Sequence, residues 1–351
     1  MSGDLKPDIR RQSLQDIAGF IQGIGEKPFR SGQVFDWLWK KGVRSFNEMT
    51  SLPASIRAQL SAHFSFPAAR LETGLESSDG TIKSLFSLHD GLRVEGVVIP
   101  ANGRTTACIS SQVGCALGCE FCATGKLGFL RNLSRGEIFD QFMLLNELSV
   151  GKFGVPLANI VYMGMGEPLM NYTEVTASVE RITAPEGQGV SPQRITLSSV
   201  GIPNMIRKMA DDGIKTHFAL SLHAATNEKR NRIVPVNRRF PLEEVASALK
   251  YYNKTTGKRF TIEYVLLREF NDTEADARAL AAFCKSFPVK INLIEYNPVE
   301  GSGYQPAGGP RTRAFAELLA RRNLVVNIRK SRGKDIAAAC GQLAGKTTSI
   351  P

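Results

Sequence analysis

The chain has 351 residues, 42% of them hydrophobic and 22% charged, and a formal net charge of +11. That length suits one large domain with an accessory piece, and the ordinary composition excludes a fibrous or disordered chain. No apolar run is long enough to cross a bilayer and the opening residues MSGDLKPDIRRQSLQ hold no apolar signal core, so a cytoplasmic protein without membrane contact is expected.

Leu14, Ile17, Phe20, Ile21 and Ile24 recur at helical spacing. A second apolar set, Val34, Phe35, Trp37, Leu38 and Trp39, follows the breaks at Gly25 and Pro28, and Pro53 opens a third short helix with Ile56 and Leu60. Residues 1–75 therefore read as a helical accessory domain with a basic surface. The stretch "TIKSLFSLHDGLRVEGVVIP" changes period: two β-rich runs flank His89, Asp90 and Gly91, which predicts a β-hairpin.

Beyond residue 104, strand candidates alternate with amphipathic helices, as parallel β/α architecture requires. The strands expected are 106–110, 159–163, 194–198, 216–222, 260–267, 290–296 and 324–329. "SRGE" at 134–137 is a capping box, Pro203 and Gly213 bracket a later helix, and Pro241 begins another. The units are too few for a closed eight-stranded barrel, and no glycine fingerprint marks a doubly wound sheet. Residues 76–351 thus read as a partial barrel, whose chemistry belongs at the C-terminal ends of its strands. "EGSGYQPAGGP" at 300–310 is expected to be a mobile loop.

Four of the six cysteines fall within fifteen residues, which in a reducing compartment indicates metal binding or thiol chemistry. Cys115, Cys119 and Cys122 lie on the loop after the first barrel strand, where Gly114 and Gly118 let the backbone bend. A structural zinc site needs four protein ligands, and neither Cys108 nor Glu120 completes a usual zinc spacing. Three thiolates suit an iron–sulfur cluster with one iron left for a non-protein ligand. Cys284, at helical spacing with Leu280 and Phe287, reads as a core thiol.

A CxxxCxxC loop at this place resembles the radical S-adenosylmethionine (SAM) superfamily. From about residue 28 to 345 the chain resembles more closely the RlmN family, adenine C2 methyltransferases of 23S rRNA and tRNA. The likeness is carried by "FRSGQVFDWLW", "VEGVVIP", "CISSQVGCALGCEFCATG", "GFLRNLS", "YMGMGEPLMN", "SLHA", "RIVPVN", "LIEYNP" and "RKSRGKDIAAACGQLAG". It implies a partial (β/α)6 radical SAM barrel, a [4Fe-4S] cluster on Cys115, Cys119 and Cys122, and SAM as cosubstrate. Gly166 and Glu167, in a "GMGEP" segment where Gly164 and Gly166 permit close approach and Glu167 offers a counter-charge, match family SAM contacts. Ser198, Ser221, Leu222, His223 and Asn297 match others.

The resemblance further implies that Cys340 carries a methyl group taken from one SAM, that a 5′-deoxyadenosyl radical from a second activates it, and that the carbon adds to adenine C2. Cys108 matches the cysteine that releases the resulting protein–RNA adduct by forming a disulfide with Cys340. Glu95 matches the acid–base residue for the C2 proton. A monomer supplied with electrons by a donor such as flavodoxin is expected. Ala337 departs from the family, where an acid is common. The basic run "RRNLVVNIRKSRGK" at 321–334 has six cations and no acid, and is expected to contact phosphates. Three rival readings stay open: the sister adenine C8 methyltransferase, which confers antibiotic resistance, a radical SAM enzyme acting on a peptide or small molecule, and a non-enzymatic iron–sulfur RNA-binding protein.

Overall fold

Ser13 starts the first helix with a reciprocal box: its hydroxyl accepts from the Asp16 amide, and Asp16 accepts from the Ser13 amide. The computed structural model describes residues 6–345, so residues 1–5 and 346–351, the outer ends of the two expected domains, lie outside the described residues. Helices α1 (Leu14–Gly23), α2 (Phe29–Trp39) and α3 (Ala54–His63) bury Ile17, Ile21, Val34, Leu38, Trp39, Ile56 and Leu60 against one another.

Strands β1 (Arg70–Glu76), β2 (Ile82–Ser87) and β3 (Arg93–Ala101) follow as an antiparallel ladder. The expected hairpin is β2–β3. Strand β1 is additional, and because it pairs with β2 from Arg70 to Glu76, the division expected at residue 75 falls inside the sheet. The helical part ends at His63. β1 shows no clean alternation, with the pattern RLETGLE and only Thr73 and Leu75 half-buried, so its sequence gives a weak strand signal.

Strand β4 (Arg104–Cys108) is the joint between two architectures, antiparallel to β3 and parallel to β7. After it, β5 (Gln112–Gly114), α4 (Ala123–Lys126) and β6 (Phe129–Asn132) form a small hairpin whose loop holds the three clustered cysteines. The chain then runs α5 (Arg135–Phe153), β7 (Leu157–Tyr162), α6 (Tyr172–Thr183), β8 (Ile195–Ser199), α7 (Pro203–Asp211), β9 (His217–Ser221), α8 (Asn227–Ile233), α9 (Leu242–Thr256), β10 (Phe260–Leu266), α10 (Glu274–Cys284), β11 (Val289–Glu295), α11 (Gly309–Ala320) and β12 (Val325–Arg329). Strand order is β1-β2-β3-β4-β7-β8-β9-β10-β11-β12, with every pairing beyond β4 parallel. Six β/α units precede β12, and among the described residues no ladder joins β12 back to β4 or β1, so the barrel is open as expected.

The capping box at Ser134 and Glu137 starts α5, and Cys284 is buried at the end of α10. Segment 300–310 is more tightly tied than its composition suggests. Arg268 N–H donates to the Gln305 carbonyl at 2.8 Å, and Lys126 reaches the Glu300 carbonyl at 2.6 Å. No helix among the described residues is long and apolar enough to cross a membrane.

A buried ion pair joins the helical part to the barrel: Arg10 Nη1 meets Asp140 Oδ1 of α5 at 2.6 Å, with both side chains fully buried. Asp140 Oδ2 also accepts from Ala69 N–H at 2.8 Å, and Arg10 donates to the Pro67 carbonyl. Burial raises the Asp140 carboxyl and Arg10 opposes that rise. Removing one partner strands a buried charge, so Asp140→Ala should lose about 3–5 kcal/mol. Thermal unfolding should show the loss as a fall in Tm on the order of 10 °C, partly recovered when Arg10 is also made Met.

Candidate active site

The parallel strands end around a cavity of about 140 Å³, bordered by Cys115, Cys119 and Cys122, by Gly164, Gly166 and Glu167 after β7, by Ser198 of β8 and Ser221 of β9, by His223 and Glu263, and by Cys340. A second cavity of about 100 Å³ adjoins it, bordered by Cys108, Arg329, Met163, Ile294 and again Cys340. Cys340 is therefore the thiol open to both. It sits deep yet presents exposed surface to the two cavities, and that surface, rather than its depth, decides what reaches it.

The cysteine loop is held open by backbone. Gly114 has φ of +74°, and a Cβ there would lie 1.9 Å from the Gly128 carbonyl, which accepts from Cys115 N–H at 2.8 Å. Burial pushes the Cys115 thiol up to about 12 and the Cys119 thiol well above its ordinary value, and each thiolate disfavours its neighbours. Among the described residues no set of three His, Cys, Asp or Glu side chains converges as ligands of one ion. Three thiols of one loop bordering one cavity instead fit a polynuclear iron–sulfur cluster held by three thiolates.

Gly166, at φ +97°, touches Gln112: a Cβ would stand 2.5 Å from the Gln112 Cβ. Glu167 does not present a free counter-charge. Its Oε1 accepts from Leu169 N–H at 3.1 Å and its Oε2 from Val200 N–H at 3.0 Å, so the cavity meets the Gly164–Glu167 backbone while the carboxylate joins the ends of β7 and β8. Ser198 and Ser221 hydroxyls lie 3.1 Å apart. Leu222 is fully buried and its polar atoms are occupied, N–H by the Glu263 carbonyl and C=O by Arg230.

His223, at φ +60°, turns its ring into the site; Nδ1 accepts from Val265 N–H at 3.1 Å, and burial with the nearby Arg230 lowers it to about 3. It is neutral, with its hydrogen on Nε2. Asn297 is buried and its amide faces the Cys340 carbonyl at 3.4 Å. Arg230 is a fully buried organiser that the sequence did not single out. It donates to the carbonyls of Leu222 and Val200 and, at 2.6 Å, to Asn237 Oδ1, fixing the ends of β8 and β9.

Residues 330–345 lie across the site as a strap. Ala123 N–H donates to the Gly341 carbonyl at 2.7 Å and Thr124 Oγ1 to the Leu343 carbonyl at 2.6 Å, which docks the strap on the cysteine loop. The β1–β2 turn grips its other end: Asp335 accepts from Ser77 Oγ at 2.5 Å and Ser78 N–H at 2.9 Å, and Asp79 from Gly333 N–H at 3.0 Å. Glu95 borders neither cavity. It lies beneath the strap, accepting from Ala344 N–H at 2.7 Å, with Lys83 Nζ at 3.4 Å as its buried counter-ion. Ala337 has φ of +51°, a conformation that an acid or amide tolerates better than alanine.

Cys108 closes the second cavity from the end of β4, its thiol pushed up to about 12 by burial and by a thiolate at Cys340. Cys340 is raised to about 11 by burial, with Arg329 opposing and Glu263 adding to the rise. The basic run is less free than its sequence suggests. Lys334 pairs with Glu295 at 2.7 Å, Arg329 faces Glu263 at 3.8 Å and Arg332 faces Asp79 at 3.9 Å, so three of its six cations turn toward the strap and the site.

Residues 8–65 match the model of the ribosomal RNA large subunit methyltransferase N-terminal domain, and residues 109–281 that of the radical SAM superfamily. A probable dual-specificity RNA methyltransferase RlmN from Christiangramia forsetii is 49% identical over 98% of each chain. The dual-specificity RNA methyltransferase RlmN of Anaeromyxobacter dehalogenans is 41% identical over 98% of this chain and 93% of its own. The crystal structure of a radical SAM methyltransferase from Sphaerobacter thermophilus superposes with a TM-score of 0.91 at 35% identity, covering 97% of this chain and all of that one. These matches run along nearly the full length of the chain, and it belongs to the RlmN family of radical SAM RNA methyltransferases.

Proposed function

We propose that the chain methylates C2 of adenosine in 23S rRNA and in tRNA, with Cys340 as methyl carrier. The observation that supports this most is the place of Cys340, open on one side to the cavity with the three clustered thiols and on the other to the cavity closed by Cys108. Cys115, Cys119 and Cys122 would hold the [4Fe-4S] cluster, and the Gly164–Glu167 backbone, Ser198, Ser221, Leu222, His223 and Asn297 would surround SAM. When bound, these groups supply a 5′-deoxyadenosyl radical.

Adenine C2 is electron-poor and does not attack a sulfonium methyl, whereas a cysteine sulfur does. Cys340 would take the methyl, lose a hydrogen atom and join C2 through its methylene carbon; the adduct radical would give up one electron, which the iron–sulfur cluster would accept when bound, and Glu95 would take the C2 proton. Cys108 then attacks the Cys340 sulfur: the carbon–sulfur bond breaks, a disulfide forms, and the carbon takes a proton to become the product methyl. External thiol must reduce the disulfide before another turnover. The helical part and the cations of the 321–334 run not paired with acids would meet RNA phosphates.

The deciding experiment is mass spectrometry of nucleosides from RNA incubated with the reconstituted enzyme. 2-Methyladenosine is expected; 8-methyladenosine would transfer the assignment to the sister C8 reaction, and unmodified RNA would remove it.

A further inference from the structure

We infer that Arg230 is the buried counter-cation of the iron–sulfur site and that its charge favours the reduced state of a cluster held by Cys115, Cys119 and Cys122, a reading that rests on the cluster assigned to those thiols. Arg230 lies on α8 and is one of the two buried arginines among the described residues. The other, Arg10, has the Asp140 carboxylate at 2.6 Å. Arg230 has no carboxylate: its Nε donates to the Leu222 carbonyl at 3.0 Å, its Nη1 to Asn237 Oδ1 at 2.6 Å and its Nη2 to the Val200 carbonyl. These neutral acceptors satisfy its N–H groups and leave its charge uncompensated. A cation taken out of water is costly unless an anion faces it.

The packing around Arg230 leads to the cysteine loop. Val200, whose carbonyl it holds, borders the larger cavity together with Cys119. One turn beyond Arg230, the Ile233 carbonyl at the end of α8 accepts from Glu120 N–H of the cysteine loop at 3.1 Å. The Phe121 ring of that loop meets the His223 ring with centroids 4.5 Å apart, beside the Leu222 carbonyl that Arg230 also holds. No lysine or arginine borders the cavity among the described residues, whereas Glu167, Glu263 and Glu295 do. The positive charge facing Cys119 therefore comes from behind the cavity wall. Arg230 favours a negative Cys119 sulfur where Cys115, Cys122 and Glu167 disfavour it.

A [4Fe-4S] site with three thiolate ligands is anionic in either oxidation state and gains a further negative charge when it takes up an electron. A fixed cation in a low-dielectric wall stabilises the more negative state more, so it raises the reduction potential. The electron comes from an external one-electron reductant of low potential. Arg230 exchanges neither electron nor proton: burial lowers it only to about 10, so it stays charged near neutral pH. Its hydrogen bonds to Leu222, Val200 and Asn237 hold the charge in place before and after reduction, with no rearrangement needed.

The test is a redox titration of the reconstituted protein without SAM, with dithionite as reductant and the reduced cluster followed by electron paramagnetic resonance. Wild type, Arg230→Gln and Arg230→Lys are compared at equal iron content. In Arg230→Gln the ratio of reduced to oxidised cluster at a fixed solution potential should fall about tenfold, which is a negative shift of about 59 mV in a one-electron midpoint. Arg230→Lys keeps the charge but not the forked hydrogen bonds, and should stay near the wild-type midpoint. A residue that only braces β8 and β9 would give the opposite order of neither or both variants shifting. Asn237→Asp leaves Arg230 in place and gives it a carboxylate in place of an amide oxygen; its midpoint should also fall, and it decides the question if Arg230→Gln does not fold. An unchanged midpoint in Arg230→Gln or in Asn237→Asp, or an equal fall in Arg230→Lys, would overturn the inference. Wild-type protein that takes up no iron, or shows no one-electron signal on reduction, would instead overturn the cluster assignment and this reading with it.

Discussion

Cys108→Ala enzyme incubated with RNA, SAM and reductant should show a slow-migrating, nuclease-sensitive protein band on a denaturing gel, and Cys340→Ala should not. The two thiols close the same cavity but have different neighbours. Cys340 alone also borders the cavity of the clustered cysteines, so it alone is placed to take a methyl and be activated there. Loss of Cys340 removes the carbon that would join RNA. Loss of Cys108 leaves that joining step intact and removes only the nucleophile that breaks the thioether. Both variants should lose turnover by several orders of magnitude, yet only one should trap RNA.

The release step also carries a pH signature. Because burial pushes the Cys108 thiol up to about 12, only a small fraction is thiolate at pH 7. Single-turnover release from the wild-type adduct should therefore accelerate about tenfold per pH unit on the alkaline side of neutrality, as thiolate population rises. Free methylated RNA made by Cys108→Ala would assign the release to another group.

Much of this arrangement was readable along the chain. The seven parallel strands lie within two residues of their expected limits because their cores, such as Ile291 and Leu293 or Leu197 and Ser198, are short β-rich runs bounded by caps and turns. The three thiols and the two outer cysteines were visible as spacing and as resemblance. What escaped depends on partners distant in sequence. The run 321–334 contains no acid, yet Asp79, Glu263 and Glu295 reach it from three other strands or turns.

Nothing local to Glu95 announces what covers it, but the strap folds over it and gives it Ala344 N–H and Lys83. Glu167 reads along the chain as a counter-charge, but the amides of Leu169 and Val200 reach its carboxylate first. Local pattern finds elements and motifs; which charge meets which is decided by the closure of the sheet.

Replacing Cys119 with Ala should abolish SAM cleavage and leave the reconstituted protein without its full iron, about four per chain for a [4Fe-4S] cluster. The expectation follows from the loop geometry. Cys119 is 7% exposed and lies between Cys115 and Cys122 on the loop that borders the cavity, so its loss removes one of three clustered sulfurs. The Cys115 and Cys119 thiols are also held above their ordinary values by burial, so iron must displace their protons to bind. The sign is that of competition with protons: iron uptake should weaken as pH falls and strengthen as it rises. Cys115→Ala and Cys122→Ala should behave as Cys119→Ala does. Cys284→Ala is the control, since that thiol is buried at the end of α10 and borders neither cavity, and should bind iron fully with only a small loss of stability. Full SAM cleavage by Cys119→Ala would remove the cluster from this loop, and with it the link between the three thiols and the methyl carrier that faces them.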